Sequence, residues 1–265
     1  MRPWPRRYLG KCLLPSCPSR VYDCQGAPPT SDGAAAQPVA PPVRPETLMT
    51  ARQKIVRVHQ LLEGAYGARR RPAGDDPLDE LIATILSQNT SDVNSGRAFD
   101  ALKAAFPTWE AAMGAPVARI AAAIRSSGLA NIKAPRIRAV LRAIWAEQGH
   151  FDIAWLRRRP PEEVRAWLGR FPGIGPKTVA CVMLFSLGLP AFPVDTHVFR
   201  VGRRLGILDG AARPETAPAL FEAAVPTSHF YCLHVNMIRH GREVCTALRP
   251  RCPACPLRRV CDFVR

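Results

Sequence analysis

"FPGIGPKTVACVML", Phe171 to Leu184, sets two glycines and two prolines directly against an apolar run. Pro172-Gly173-Ile174-Gly175 reads as a tight turn. Gly175 suits a helix cap and Pro176 the first helical position, so Lys177 falls within the first turn of a helix. A helix N-terminus ordinarily attracts an anion, and an ammonium there opposes the dipole. Two readings follow. Either Lys177 is an exposed phosphate contact, or its charge is unfavourable by design and the neutral amine serves as a nucleophile able to form a Schiff base. The helix field and burial both predict a pKa lowered from about 10.4.

Upstream, Pro160-Pro161-Glu162-Glu163 begins a helix that runs to Leu168, so the whole segment forms a helix-hairpin-helix. Glycines let the backbone approach an anion closely, and free N–H groups at the turn and helix start point outward. Gly173, Ile174 and Gly175 are therefore expected to hold a nucleic-acid phosphate, a contact that positions DNA without reading its sequence. Eighteen residues after Lys177 stands Asp195, in Val194-Asp195-Thr196-His197 at the start of the next helix. Residues 177–188 span roughly 18 Å at about 1.5 Å per residue, and the Gly188/Pro190/Pro193 connection returns the chain toward Lys177. Asp195 would face the nucleophile and assist charge stabilisation and proton transfer, besides capping its own helix. His197 reads as a packing or hydrogen-bonding residue.

The rest of the chain is helical from Thr50 onward. Asp76-Pro77 opens a helix whose Leu78, Leu81, Ile82, Ile85 and Leu86 form one apolar face. Further helices are expected at 93–105, 117–124, 137–145, 196–205, 215–224 and 228–240, with a break at "SSGLANIKAP". No segment alternates as a strand does, so the class is all-α, built from short helices and tight turns. Residues 1–48 are Pro/Ala-rich without periodicity and read as a disordered basic tail. A transit peptide and an over-long start before Met49 are alternatives for that tail.

Lys plus Arg number 37 against 21 acidic residues, a formal +16 over 265 residues, and most of the cations are arginine. That excess favours an anionic polymer, nucleic acid first. The longest apolar run, Val179 to Phe192, is shorter than the roughly 18–20 residues that span a bilayer, so a membrane role is not expected. Of nine cysteines, Cys245, Cys252, Cys255 and Cys261 crowd together as C-x6-C-x2-C-x5-C. Four thiolates so close suit one tetrahedral metal or a cubane cluster, and spacing alone leaves zinc and iron–sulfur both open. Arg249 and Arg251 lie within this loop and are expected to clamp the DNA backbone.

Taken together, "LSQNTSD" (86–92), "SGLANIKAPRI" (127–137), "FPGIGPKTVA" (171–180), "VDTHVFRV" (194–201) and "HGREVCTALRPRCPACPLRRVC" (240–261) closely resemble the endonuclease III family of base-excision DNA glycosylases. The resemblance covers residues 50–265 in the family's order. It implies a helix-hairpin-helix glycosylase fold: a six-helix domain at 76–189 and an iron–sulfur cluster domain at 190–265, with the first helix (50–75) packing on the latter and DNA in the cleft between. It implies a [4Fe–4S] cofactor on the four cysteines, Lys177 as Schiff-base nucleophile and Asp195 as its partner. It further implies that a flipped nucleotide's vacancy is filled by Asn89, with Gln88 a rival, and by Leu129 as apolar wedge. The family often carries glutamine where Asn89 stands and arginine where Pro176 stands.

The expected function is that of a bifunctional DNA glycosylase and AP lyase in base excision repair. It would remove oxidised pyrimidines from double-stranded DNA and cut 3′ to the abasic site by β-elimination. The chain is expected to act as a monomer, in the cytoplasm or nucleoid if bacterial and in the nucleus or mitochondrion if eukaryotic. A monofunctional adenine or uracil/thymine mismatch glycosylase is one alternative, and a non-catalytic helix-hairpin-helix DNA-binding protein is another.

Overall fold

Side-chain caps start five of the eleven α-helices among the described residues. In the computed structural model, which describes residues 49–72 and 76–264, Thr50 begins α1 (Ala51–Tyr66) through a reciprocal capping box with Gln53. Asp76 accepts from the Leu78 and Asp79 N–H groups at the start of α2 (Pro77–Ser87), with Pro77 at the first helical position. Ser91 caps α3 (Asp92–Ala105) and Thr108 caps α4 (Trp109–Gly114). Then come α5 (Val117–Ala123), α6 (Ala130–Gln148), α7 (Pro161–Gly169), α8 (Pro176–Val182), α9 (Thr196–Arg204), α10 (Ala217–Ala224) and α11 (Phe230–Glu243). No strand occurs among the described residues, so the all-α class holds. No helix among them is long and apolar enough to cross a membrane. The tail expected at 1–48 lies outside the described residues.

Three helices depart from the pattern expected of the sequence. The helix expected at 137–145 begins seven residues earlier, at Ala130, directly after a left-handed Leu129. Pro135 sits inside it, yet so near the start that its ring removes a single backbone bond, while buried Ala134 and Ile137 anchor the turn around it. The short α4 was not expected. It is too brief to show periodicity, and Trp109 holds it down by packing on Phe99 and donating to the Asp79 carboxylate at 3.1 Å. Beyond α8, Met183–Leu187 widen into a π turn that ends at Gly188, with φ at 72°.

Two packing arrangements position the site. α2 lies against α3 and α8, and α5 against α6. Separately, α1 packs on α10 and α11, where Ile55, Val58 and Leu62 join Val198, Phe221, Leu233 and Met237 in one apolar core that also takes in Leu257 and Val260. Lys54, almost wholly buried, locks α1 to the chain end by donating to Leu205 O at 2.6 Å and to both Asp262 oxygens at 2.8 Å. Gly206, with φ at 69°, leaves the space that this carboxylate fills; a Cβ there would stand 1.8 Å from Asp262 Oδ2.

Candidate active site

The hairpin between α7 and α8 is anchored from inside. Phe171 and Ile174 are buried, and the Ile174 N–H closes the turn on Phe171 O at 3.1 Å. Ile174 thus serves as the anchor, while the exposed backbone belongs to Gly173 and Gly175. Gly173 is required twice over. Its φ of 77° is left-handed, and a Cβ would meet Arg136 Nε at 2.0 Å. Gly175 caps α8 without a side-chain hydrogen bond, so the first-turn N–H groups there are not met by a capping side chain.

Lys177 lies in that first turn, partly buried, one turn before the buried Cys181. The structure overturns the expectation of a lowered pKa. The Lys177 amine is held above the ordinary lysine range, first by the Cys181 thiolate, then, against the opposing effect of burial, by the Asp195 and Glu80 carboxylates. Burial pushes the Cys181 thiol up to about 11, so below that pH the sulfur is an uncharged thiol and the anionic neighbours of the lysine are the Asp195 and Glu80 carboxylates. Burial does act in the expected direction, but the nearby acidic groups outweigh it.

Asp195 is the N-cap of α9 and accepts the Val198 N–H at 2.7 Å, which fixes the carboxylate's orientation. It acts electrostatically on both Lys177 and His234. His234, on α11, is 1% exposed and donates from Nδ1 to Pro193 O at 2.9 Å. Burial, together with Lys177, pushes it down to about 4 although Asp195 pulls the other way, so it stands as a neutral imidazole. His197 is hydrogen-bonded through Nδ1 to Arg200 at 3.1 Å, in keeping with the packing role expected of it.

Two loops carry the residues expected to enter the DNA, and one of them reaches α8 through Gln88. Gln88 ends α2 and is held from both ends of its amide, accepting from Arg136 Nη1 at 3.0 Å and donating to Thr178 Oγ1 at 3.3 Å. Its neighbour Asn89 is exposed with φ at 54°, and Leu129 is 51% exposed with φ at 51°. Among the described residues these are the only non-glycine residues with positive φ. Such strain persists where surrounding structure enforces it, and it gathers at functional sites.

Residues 82–227 match the family model described as HhH-GPD superfamily base excision DNA repair protein. Endonuclease III of Rickettsia conorii is 32% identical over 183 residues, covering 69% of this chain and 82% of that relative. The chain belongs to the endonuclease III / helix-hairpin-helix DNA glycosylase family. A solved endonuclease III, trapped as a covalent intermediate with DNA, superposes with a TM-score of 0.70 at 27% identity, over 82% of this chain and 98% of that one. A provisionally named DNA glycosylase of Arabidopsis thaliana is 39% identical over 165 residues, 62% of this chain. The chain spans 56% of that plant relative's length and 9% of the rice protein ROS1C.

Members of the endonuclease III family typically carry a [4Fe–4S] cluster, and the C-terminal cysteines bear on whether this chain's residues fit one. Cys245, Cys252, Cys255 and Cys261 are all free thiols and line one cavity. No three His, Cys, Asp or Glu side chains among the described residues are gathered as a single-ion site. Donors point at the sulfurs: the Leu257 N–H at 3.4 Å and His240 Nε2 at 3.6 Å from Cys255, and Arg204 Nη1 at 3.4 Å from Cys245. Such N–H groups complement thiolate charge, so the donor set fits an anionic sulfur-ligated group. His240 is in turn paired with the Tyr66 hydroxyl at 2.9 Å. On the same loop Arg249 and Arg251 are exposed, as is Leu248 between them and Cys245, at 94%.

Sequence reasoning passed over His234, Arg136 and Cys181 as members of the site. Cys181 was legible at four residues from Lys177, a single helical turn. His234 and Arg136 arrive from other helices, and no local spacing announces them.

Proposed function

We propose that this chain is a bifunctional DNA glycosylase and AP lyase acting on oxidised pyrimidines in double-stranded DNA. The observation that carries it is the electrostatic coupling of Lys177 and Asp195, at the starts of α8 and α9, in a chain with left-handed residues at Asn89 and Leu129. DNA would lie across the groove between segments 76–189 and 190–265. Gly173 and Gly175 would hold one phosphate, and Arg249 and Arg251 would clamp the backbone further along. Asn89 and Leu129 would fill the vacancy left by the everted nucleotide. Gln88, already committed at both ends of its amide, supports that loop instead.

Because Lys177 is charged at rest, it must first release a proton, and the Asp195 carboxylate, whose charge acts on the amine, would be the acceptor. Nζ then bonds to C1′ as the glycosidic bond breaks, and the base leaves with the bonding pair and a proton. Loss of a further Nζ proton with opening of the sugar yields the imine. Removal of a 2′ proton then expels the 3′ phosphate, cutting the strand. Cys245, Cys252, Cys255 and Cys261 would hold a [4Fe–4S] cluster, whose contribution is to brace the arginine loop.

The test is to incubate the protein with duplexes carrying thymine glycol, an abasic site or a mismatch, with borohydride present. Covalent trapping on the first two supports this reading. Base release without trapping points to a monofunctional mismatch enzyme, and neither outcome on any duplex leaves a DNA-binding module. Broad visible absorption by the purified protein separates iron–sulfur from zinc.

A further inference from the structure

One buried cation has no part in the chemistry above. Lys133, in the second turn of α6, is 2% exposed. Its Nζ donates to Leu86 O at 2.7 Å and to Ser127 O at 2.8 Å. Both acceptors are carbonyls at helix ends: Leu86 lies in the last turn of α2, and Ser127 closes the short 3-10 turn Arg125–Ser127. Helix-terminal carbonyls lack intrahelical donors and carry the negative end of the dipole, so one ammonium satisfies two such ends at once. Three residues past Leu86 stands Asn89, and two residues past Ser127 stands Leu129, the two non-glycine positions with left-handed backbone. A second tie runs outside the first, from Ser126 Oγ to Asn94 O at 3.2 Å. One turn along α6, Arg136 reaches Gln88 and fills the space beside Gly173.

We propose that Lys133 is a positioning residue that holds Asn89 and Leu129 at a fixed separation, so that both enter the base stack as one unit. Each loop is short and its tip is strained. Without a common anchor, either tip relaxes by rotating its own helix end, and the other loses the gap it was to share. A lysine suits the task because it reaches two carbonyls from a third element through a flexible stem, whereas a direct loop-to-loop bond would lie in the path of the DNA. Asn89 and Leu129 then act on the duplex together, and discrimination between a lesion and intact DNA depends on a side chain that touches neither.

This inference rests on the reading of the chain as a nucleotide-flipping glycosylase, and the experiment separates the two. Affinity is measured by fluorescence anisotropy for a duplex bearing a tetrahydrofuran abasic analogue and for the same duplex intact. Wild type, Lys133→Met, Leu129→Ala and the double variant are compared, with circular dichroism melts as the folding control. Lys133→Met is expected to lower the preference for the analogue about tenfold while affinity for intact DNA changes less than about twofold. In the Leu129→Ala background the same substitution should lower the preference less than about twofold further, the non-additivity of groups that act through one another. Should Lys133→Met fail to fold, Lys133→Gln, which keeps a donor for one carbonyl, is put through the same cycle. Full retention of the preference, a parallel loss on intact DNA, or additive losses with Leu129→Ala would overturn the proposal. A wild-type protein without any preference would overturn the glycosylase reading along with it.

Discussion

Lys177 and Lys133 are both withdrawn from solvent, yet their surroundings drive them in opposite directions. Burial first, and the Arg136 guanidinium second, push Lys133 down to about 8, while Cys181, Asp195 and Glu80 hold Lys177 above its ordinary range. Lys133 spends its donors on two backbone carbonyls and faces no carboxylate in that pair of contacts. Lys177 lies within the electrostatic reach of the Asp195 carboxylate, at the entry to a neighbouring helix. A lowered pKa therefore marks the structural lysine, and the amine proposed to react is the one that must first be deprotonated. Burial alone does not identify a nucleophile; an adjacent group able to take its proton does.

The largest expected effect would break this contrast outright. Lys177→Ala should reduce borohydride trapping on an abasic duplex by about three orders of magnitude or more, as loss of a covalent nucleophile does. An adduct of wild-type yield in that variant would mean that another amine reacts. Next, Asp195→Asn should slow single-turnover base release by about 10²–10⁴-fold, the range for a lost proton acceptor. It should also move the pH profile. The carboxylate raises the Lys177 pKa, so the neutral fraction, and with it the rate, grows toward alkaline pH. Removing the carboxylate lowers that pKa and shifts the rising limb to lower pH. An unshifted limb would show that Asp195 acts as a helix cap alone.

Smaller effects sharpen the contrast at the other end of the molecule. Cys252→Ser should abolish the broad visible absorption and lower the thermal midpoint, because the binding free energy of a structural metal group is folding free energy. Smallest of all, Arg249→Ala and Arg251→Ala should each weaken binding to lesion and intact duplexes alike. Each should reduce the slope of log K against log salt by about 1. Loss confined to the lesion duplex would assign those arginines to recognition, alongside Leu129, instead of to the backbone.

Much of the site was legible because its signals are local. Gly175-Pro176 is a cap followed by a first-turn proline, Asp195 precedes a helix that it caps, and the cysteine spacing needs no fold to be noticed. What local pattern concealed was sign and context. The Lys177 pKa was read from its own helix, yet it is governed by Cys181, Asp195 and Glu80, two of which come from other helices. Helix α6 was read as beginning after Pro135, because propensity weighs proline heavily and gives no weight to a lysine bonded beneath it to two distant carbonyls.

By itself the sequence determined the all-α class, the hairpin, the placement of Lys177 in the first turn of one helix and of Asp195 at the cap of the next, and the gathering of four cysteines. Those are properties of turn chemistry, helical period and short separation. Only the tertiary structure decided that Gln88 is held while Asn89 is exposed, that Ile174 anchors the hairpin from within, that His234 is neutral, and that Lys133 joins two loops 47 and 6 residues away from it in the chain. The reason is physical. A hydrogen bond or a Coulomb interaction acts through a few ångströms of space, and which residues share that space is set by how helices pack.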